Sequence, residues 1–495
     1  MPGNLGLAVA VAVLPDTILV VLAGACALLG VLRPRQRPTL YRWIACIALA
    51  GAVAASGSEL WGMRRLPGGV GLDTFGGGLV ADHLSVYVTI AACSFAFIVC
   101  LSSDAYLRRI RSRASGFFAL VLMSTASVSV LAGERNMVTF FVALQALVVC
   151  LALIGALTKT RDDSVEASFK TLLEGGIAAA VLLYGFAILY GVTGSVDLST
   201  VAASAAHAPL LVALGSTLVV LGLTFASGLI PFRRWLRRAS EHTPATPAGF
   251  VLTMGLAGGG AGWLRIGVSG FGTNFRLWVT ITAVVVAVSS LYAGLACLRE
   301  TNVRRMVAHA ASAQSAVLVL GVISYFGNAG KVAPQGPVAV LFAIAIFAVG
   351  LLAVFAVLGM LENAGVGAEV DDLRGLGQRS APSALLLTVS LASLVGLPPL
   401  AGFFARLFVF EAAVDSGFGW LVLLVLASNV LLVVAVARVA TAMFAETGDE
   451  RPFTVRATPP LSRTVAIACC ALAFLLGVIA QPLLALASGG ASPLL

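Results

Sequence analysis

Charged side chains are scarce in this chain: Asp, Glu, Lys and Arg make up 11% of its 495 residues, whereas a soluble domain carries about a quarter. That scarcity excludes an ordinary water-soluble globule. Clustered cysteine is lacking as well. The eight cysteines stand singly in apolar runs, apart from the Cys469–Cys470 pair, and show no ligand spacing. They read as small buried hydrophobes rather than disulfides or a metal site. No glycine-rich nucleotide loop occurs, and no basic stretch precedes the first apolar run in MPGNLGLAVA, which argues against a cleaved signal peptide. The net charge of +9 does not point to nucleic acid, because the basic residues sit in short connections between apolar runs.

Hydrophobic residues account for 59% of the chain, in repeated runs of about 20 residues, the length that crosses a bilayer as a helix. The weak alternation of polar and apolar residues excludes a transmembrane barrel. The expected class is therefore an all-α polytopic membrane protein. Fourteen spans are expected, roughly at 14–32, 41–57, 79–101, 116–133, 136–157, 166–192, 209–232, 248–269, 275–297, 303–326, 336–362, 383–413, 419–446 and 462–485. The longest connections, Gly62–Gly78 and Glu446–Ser462, leave no room for a soluble domain. Connections after odd-numbered spans hold 23 Lys and Arg, and those after even-numbered spans hold six. Cytoplasmic loops carry the excess of positive charge, so both termini are expected on the non-cytoplasmic side of the membrane.

Two spans are interrupted. The seventh contains FASGLIPF, with Gly228 and Pro231, and the twelfth contains VGLPPLAGFF, with Gly396, Pro398, Pro399 and Gly402. Proline removes a backbone donor and clashes with the preceding turn. In lipid such a break persists only where protein or a watery cavity meets the released carbonyls. The breaks lie five spans apart, an odd number, so two five-helix units would insert with opposite orientation, as in inverted-repeat transporters.

At these residues the chain resembles a known family. Gly116–Val201, Leu221–Arg265, Asn302–Ile323 and Asp371–Phe444 are similar to subunit N of the proton-pumping NADH–quinone oxidoreductase, respiratory complex I. PFRRWLRRASEHTPATPAGF (Pro231–Phe250), YGVTGSVDL (Tyr190–Leu198) and DLRGL (Asp372–Leu376) carry the resemblance most specifically. Subunits of cation/proton antiporters and membrane hydrogenases share the fold. The resemblance implies two inverted repeats, 116–270 (spans 4–8) and 271–446 (spans 9–13), flanked by 1–115 (spans 1–3) and 447–495 (span 14). The resemblance implies a translocase in the cell membrane, coupling electron transport to proton translocation. Electrons from NADH pass through FMN and iron–sulfur clusters in other subunits to quinone. It implies that this chain binds no redox cofactor and that its partners are other membrane subunits and lipid, not nucleic acid.

The family's proton path uses a glutamate in the fifth helix and lysines in the seventh, eighth and twelfth. Those positions fall on Gln145, Ala226, Leu256 and Arg406. Glutamine does not titrate, and arginine keeps its proton. Losing one member of a buried ion pair costs about 3–5 kcal/mol, whereas losing both can be neutral, so the changes read as coordinated and proton movement through the chain as impaired or rerouted. Lys170 matches a family lysine in helix 6, and Glu174 lies one turn on, where the two can pair, as a structural ion pair or a relay. His309, where the family has tyrosine, suits either a proton shuttle or a hydrogen-bonded structural role, and Gln314 stands at a family histidine. Arg406, within a span, needs an anionic or carbonyl partner: Glu411 or a carbonyl released by the break. Arg233, Arg234, Arg237 and Arg238 read as a topogenic, lipid-facing patch or a docking surface, and Asp82 and His83 as interface residues. The alternatives are a non-pumping structural paralogue and a subunit of an antiporter or hydrogenase complex. A reporter that works only outside the cytoplasm is expected to be active when fused to either terminus; activity at one end alone would contradict an even number of spans.

Overall fold

The computed structural model describes residues 3–33, 37–63, 72–74, 78–103, 106–107, 114–157, 162–198, 200–201, 209–270, 275–327, 333–446 and 460–492. Helices α1 (Gly3–Leu32) and α2 (Pro38–Met63) lead into an antiparallel hairpin, β1 (Leu72–Thr74) with β2 (Leu79–Ala81), in which Leu72 faces Ala81. There follow α3 (His83–Ser102), α4 (Ala114–Gly133), α5 (Met137–Ala156) and α6 (Asp162–Thr193). The seventh span is two pieces, α7a (Pro209–Ala226) and α7b (Arg234–His242), before α8 (Ala245–Leu264) and its π-helical end, Arg265–Gly270. Next come α9 (Phe275–Arg299), α10 (Val303–Ile323) and α11 (Gln335–Asn363). The twelfth span is again split, into α12a (Ala381–Val395) and α12b (Ala401–Asp415), ahead of α13 (Gly419–Phe444), α14 (Pro460–Val478) and α15 (Gln481–Ala491).

Eleven of these helices are long and apolar enough to cross a membrane. The seventh and twelfth spans fall short because they are broken, and α8 because GLAGGGAG (Gly255–Gly262) dilutes its apolar residues. With those three the count among the described residues reaches fourteen. The structure differs from expectation in three places. The Gly62–Gly78 connection contributes a strand, Leu72–Thr74, to a small hairpin. Helix α1 begins near the N-terminus and carries Pro15 inside it. The last span, expected as one helix, parts between Val478 and Gln481, where Pro482 opens the next helix. Proline at that position has no intrahelical bond to lose. Several of the loop cations that set the expected topology, among them Arg35, Arg64, Arg65, Arg108, Arg109, Lys159, Arg161, Lys331, Arg451 and Arg456, lie outside the described residues.

Helices α8, α10 and α11 form the centre: α8 is buried from Pro247 on, α10 from Met306 on, and α11 along nearly its whole length. The peripheral helices turn apolar side chains outward, such as Ile47 on α2 and Val430 on α13, which suits a lipid surround. Lipid gives no hydrophobic push between helices, so close backbone approach has to hold them. At Gly255 a Cβ would stand 2.6 Å from the Trp235 ring of α7b. Glycine there lets the short half-helix lie against α8.

Each break begins at a left-handed glycine, Gly228 (φ 61°) and Gly396 (φ 78°). Alanine in that conformation costs about 1–2 kcal/mol. At Gly396 a Cβ would also sit 2.5 Å from Arg406 Nη1 and 3.0 Å from Gly402 O, whereas Gly365, at φ 87°, has nothing within 4 Å. Gly396→Ala is therefore expected to lower the thermal stability and assembled amount of the protein well below Gly365→Ala, which carries the conformational cost alone. Equal losses in the two variants would show that the crowding at the break is unimportant.

Candidate functional site

The two breaks are built alike. After α7a, Gly228 N–H donates to Phe225 O and Leu229 N–H to Thr224 O, both at 2.9 Å. After α12a, Gly396 N–H donates to Ser393 O at 3.1 Å and Leu397 N–H to Ala392 O at 3.0 Å. The sequences are Gly-Leu-Ile-Pro and Gly-Leu-Pro-Pro, and in each the peptide bond before the last proline is cis. This is the helix-ending arrangement in which a left-handed glycine closes the last turn back on itself.

Carbonyls that the breaks release are met by side chains. Ser312 Oγ of α10 donates to Gly228 O at 2.7 Å, and Trp235 Nε1 of α7b donates to Phe225 O at 2.6 Å. The Ile230 amide reaches Ser289 Oγ of α9 at 3.0 Å. On the other side of α10, Gln314 Nε2 donates to Leu394 O at 3.1 Å. The same carbonyl accepts Arg406 Nη2 at 2.9 Å, while Arg406 Nη1 donates to Gly402 O at 3.2 Å. Arg406 is 4% exposed and lies 5.1 Å from the Phe347 ring centre. Its partners are thus carbonyls of the break and not Glu411, which lines a cavity of about 570 Å³ with Phe408, Gln335 and Gln481. Ser312 and Gln314 join α10 to both breaks.

Of the family positions, Ala226 and Leu256 are neighbours: a Cβ at Gly255, the residue before Leu256, would stand 3.5 Å from Ala226 O. Ala226 closes α7a and is 5% exposed. Leu256 is buried, one turn before Gly260, whose hydrogens abut Ile344 of α11 and Leu318 of α10. Gln145 is half-buried on α5, on the side that carries the exposed Val138, Val142 and Val149.

Lys170 pairs with Glu166 at 2.5 Å on an exposed face and not with Glu174. Glutamate placed N-terminal to lysine at this spacing is the better arrangement on a helix. Glu174 instead accepts both guanidinium nitrogens of Arg238 on α7b, at 3.0 and 2.6 Å. His309 is buried, and its Nε2 lies 3.4 Å from Glu300 Oε1. Glu300 also meets Arg305 at 3.5 Å and Arg237 at 3.6 Å, and Arg305 reaches Glu241 at 3.3 Å. Arg233 stacks 3.4 Å over the Tyr292 ring. Of the basic cluster read as a lipid-facing patch or docking surface, Arg233, Arg237 and Arg238 are engaged within the chain.

Two acidic corners at the ends of the bundle escaped the sequence reading. Glu134-Arg135-Asn136 precedes α5 and Glu300-Thr301-Asn302 precedes α10, with each asparagine capping its helix. Ala132 O, two residues before the first glutamate, accepts Arg265 Nε at 2.7 Å; Leu298 O, two before the second, accepts Arg438 Nη1 at 2.9 Å. The repeated Glu-X-Asn was the available signal. Arg265, counted as a loop cation, is buried, and its Nη2 donates to both carboxylate oxygens of Asp82, at 2.9 and 2.8 Å. Asp82 also caps α3, so it is a core residue and not an interface residue.

A model of the NADH:quinone oxidoreductase/Mrp antiporter transmembrane family matches residues 135–431, and the chain belongs to that family. Among its relatives is NADH-quinone oxidoreductase subunit N 2 of Acidobacterium capsulatum, 32% identical, covering 90% of this chain and 91% of that one. Respiratory complex I from Thermus thermophilus contains a chain that superposes with a TM-score of 0.76 at 27% identity, over 96% of this chain and 99% of that chain. A chain of the Mrp complex from Dietzia superposes at 0.82 with 20% identity, over 99% and 97%, and shows the fold alone.

Burial pushes the Glu134 carboxyl up from 4.5 to about 7, against hydrogen bonds from Thr139 and Asn136 and the charge of Arg265. The folded chain therefore holds a proton there that the unfolded chain has released, and stability falls as pH rises from about 4.5 to about 7. Glu134→Gln is expected to flatten that part of the melting-temperature profile of the purified protein. An unchanged slope would show that Glu134 ionises normally.

Proposed function

We propose that this chain occupies the subunit N position in the membrane arm of a complex I-type NADH–quinone oxidoreductase and conducts protons poorly or not at all through its own centre. FMN, iron–sulfur clusters and quinone belong to its partner subunits. The chain lies in the cytoplasmic membrane with both ends outside, in two inverted units at 116–270 and 271–446, flanked by 1–115 and 447–495. Similarity to subunit N relatives over nine-tenths of the length supports the assignment, as do the two breaks of matching design.

One observation carries the impaired path. Arg406, at the family's lysine position, is held by two carbonyls and has no carboxylate partner among the described residues. Arginine holds its proton where a buried lysine can release one, so the group keeps the charge that meets the break carbonyls and loses the exchange. Ala226 and Leu256 add no titratable group. His309 with Glu300, Lys170 with Glu166 and Glu174 with Arg238 remain at the charged end, where they suit proton entry or local structure and not a crossing.

Proton-to-electron ratios in sealed vesicles test this. The unmodified complex is expected to pump below the ratio of a complex whose subunit N carries the family residues. Gln145→Glu, Ala226→Lys, Leu256→Lys and Arg406→Lys together are expected to raise it. Arg406→Lys alone, which barely changes volume, controls for assembly. A full ratio in the unmodified complex would refute the impaired path while leaving the subunit assignment intact.

A further inference from the structure

The last turns of α11 and the first turns of α12a and α14 lie together on one side of the bundle, and a cavity of about 370 Å³ opens between them. Met360 and Leu361 of α11, Leu386 of α12a and Ile467 of α14 make its walls apolar. One turn beyond Ile467, Cys470 Sγ donates to Leu386 O at 3.6 Å, so α14 and α12a meet below the cavity. Leu385 and Ile467, 55% and 45% exposed, carry the apolar surface from the cavity to the flank of the bundle.

The mouth is polar, and its charge is positive. Ser380, Ser383 and Arg463 stand there. Ser380 precedes α12a without capping it, its hydroxyl bonding instead to that of Ser383 at 2.8 Å. Two hydroxyls carry two protons and the bond between them uses one, so one O–H is left to donate. The start of α12a adds the partial positive charge of a helix N-terminus. Arg463 has no ion pair or hydrogen bond among the described residues. Glu362, the carboxylate at this end of α11, is turned to α8, where it accepts the Ala245 amide at 3.0 Å. Among the described residues, no acidic side chain lines the cavity.

An unpaired guanidinium with a spare O–H beside it suits an anion, and the walls beneath suit hydrocarbon. A phosphodiester carrying acyl chains combines the two, and the planar guanidinium matches phosphate geometry. The volume is that of a small ligand site, enough for a headgroup and the start of one chain. The remaining hydrocarbon would lie along the exposed flank. Basic openings between helices on the cytoplasmic side suit anionic headgroups, and α12a and α14 both start on that side in the topology proposed above.

We propose that this cavity binds an anionic phospholipid, its phosphodiester against Arg463, Ser380 and Ser383 and an acyl chain between Leu386 and Ile467. The choice of leaflet rests on the proposed topology; the recognition chemistry does not. Arg463, counted among the loop cations, is then a ligand-binding residue as well as a topogenic one. The lipid joins the first half of the second broken span to α14.

Photolabelling of the assembled complex in phosphatidylcholine vesicles tests the site. A small fraction of phosphatidylglycerol carrying a photoreactive group in one acyl chain is the probe, and labelled peptides are read by mass spectrometry. Met360 and Leu386, inside the cavity, are expected to be labelled about fivefold more than by photoreactive phosphatidylcholine, the factor that one basic residue supplies. Arg463→Gln should bring labelling down to the phosphatidylcholine level, and Ser380→Ala with Ser383→Ala should lower it. Arg379→Gln, which removes a cation bonded to Arg374 O outside the cavity, should leave it unchanged. Co-purification with partner subunits checks folding. Equal labelling by the two lipids, or unchanged labelling in Arg463→Gln, would overturn the proposal. An equal loss in Arg379→Gln would overturn it in favour of general surface charge, and displacement by inorganic phosphate in favour of a free anion. Absence of label would overturn it by showing the cavity closed to lipid in the complex. None of these outcomes depends on proton pumping, so they are distinguishable from failure of the impaired-path reading.

Discussion

Everything near the centre of this protein answers to one constraint: a backbone carbonyl released inside a bilayer must find a donor within the protein. Breaking α7 and α12 creates such carbonyls at two places. Helix α10 runs between them and supplies a hydroxyl to one and an amide to the other, through Ser312 and Gln314. A helix with that task has to be enclosed on all sides, and α10 is buried at every residue from Met306 to Ile323. Leu394 O takes a second donor from Arg406, so the cation in mid-span is anchored to the same peptide that the break exposes.

That anchoring separates two properties that lysine combines. A buried cation beside released carbonyls stabilises the break whichever residue supplies it. Giving up a proton on demand needs an ammonium whose pKa burial can lower. With arginine in place the fold keeps the first property. Alanine and leucine at positions 226 and 256 fit the same account, since a buried residue without charge needs no partner. The polar groups left on the chain gather towards its two ends, at Glu134 with Asp82 and Arg265, and at Glu300 with Arg305 and His309.

Much of this was legible from the amino acids because its signals are local. Both breaks, the number of spans and the separation of basic loops follow from proline, glycine, run length and Lys/Arg placement. The choice of partner for Arg406 was narrowed to a carboxylate or a carbonyl, and three-dimensional structure decided it. What stayed hidden depends on residues far apart in the chain. Glu174 is reached by Arg238 from 64 positions away, and Asp82 by Arg265 from 183 away. Spacing on one helix proposes partners only within that helix. Even so, the pairing of Lys170 with Glu166 was available from the preferred order of charges along a helix. The hairpin was missed because each of its strands is only three residues long, too short for alternation to register.

The most direct test of the account is a double-mutant cycle on Gln314 and Arg406, read as unfolding of the assembled protein with Gln314→Leu, Arg406→Met and both together. Each single change leaves Leu394 O with one donor, and the double change leaves it with none. Contacting residues show coupling of roughly 0.5–3 kcal/mol, and the account predicts a double variant destabilised by more than the sum of the singles by that order. Strict additivity would contradict it, because the break would then hold without the shared carbonyl.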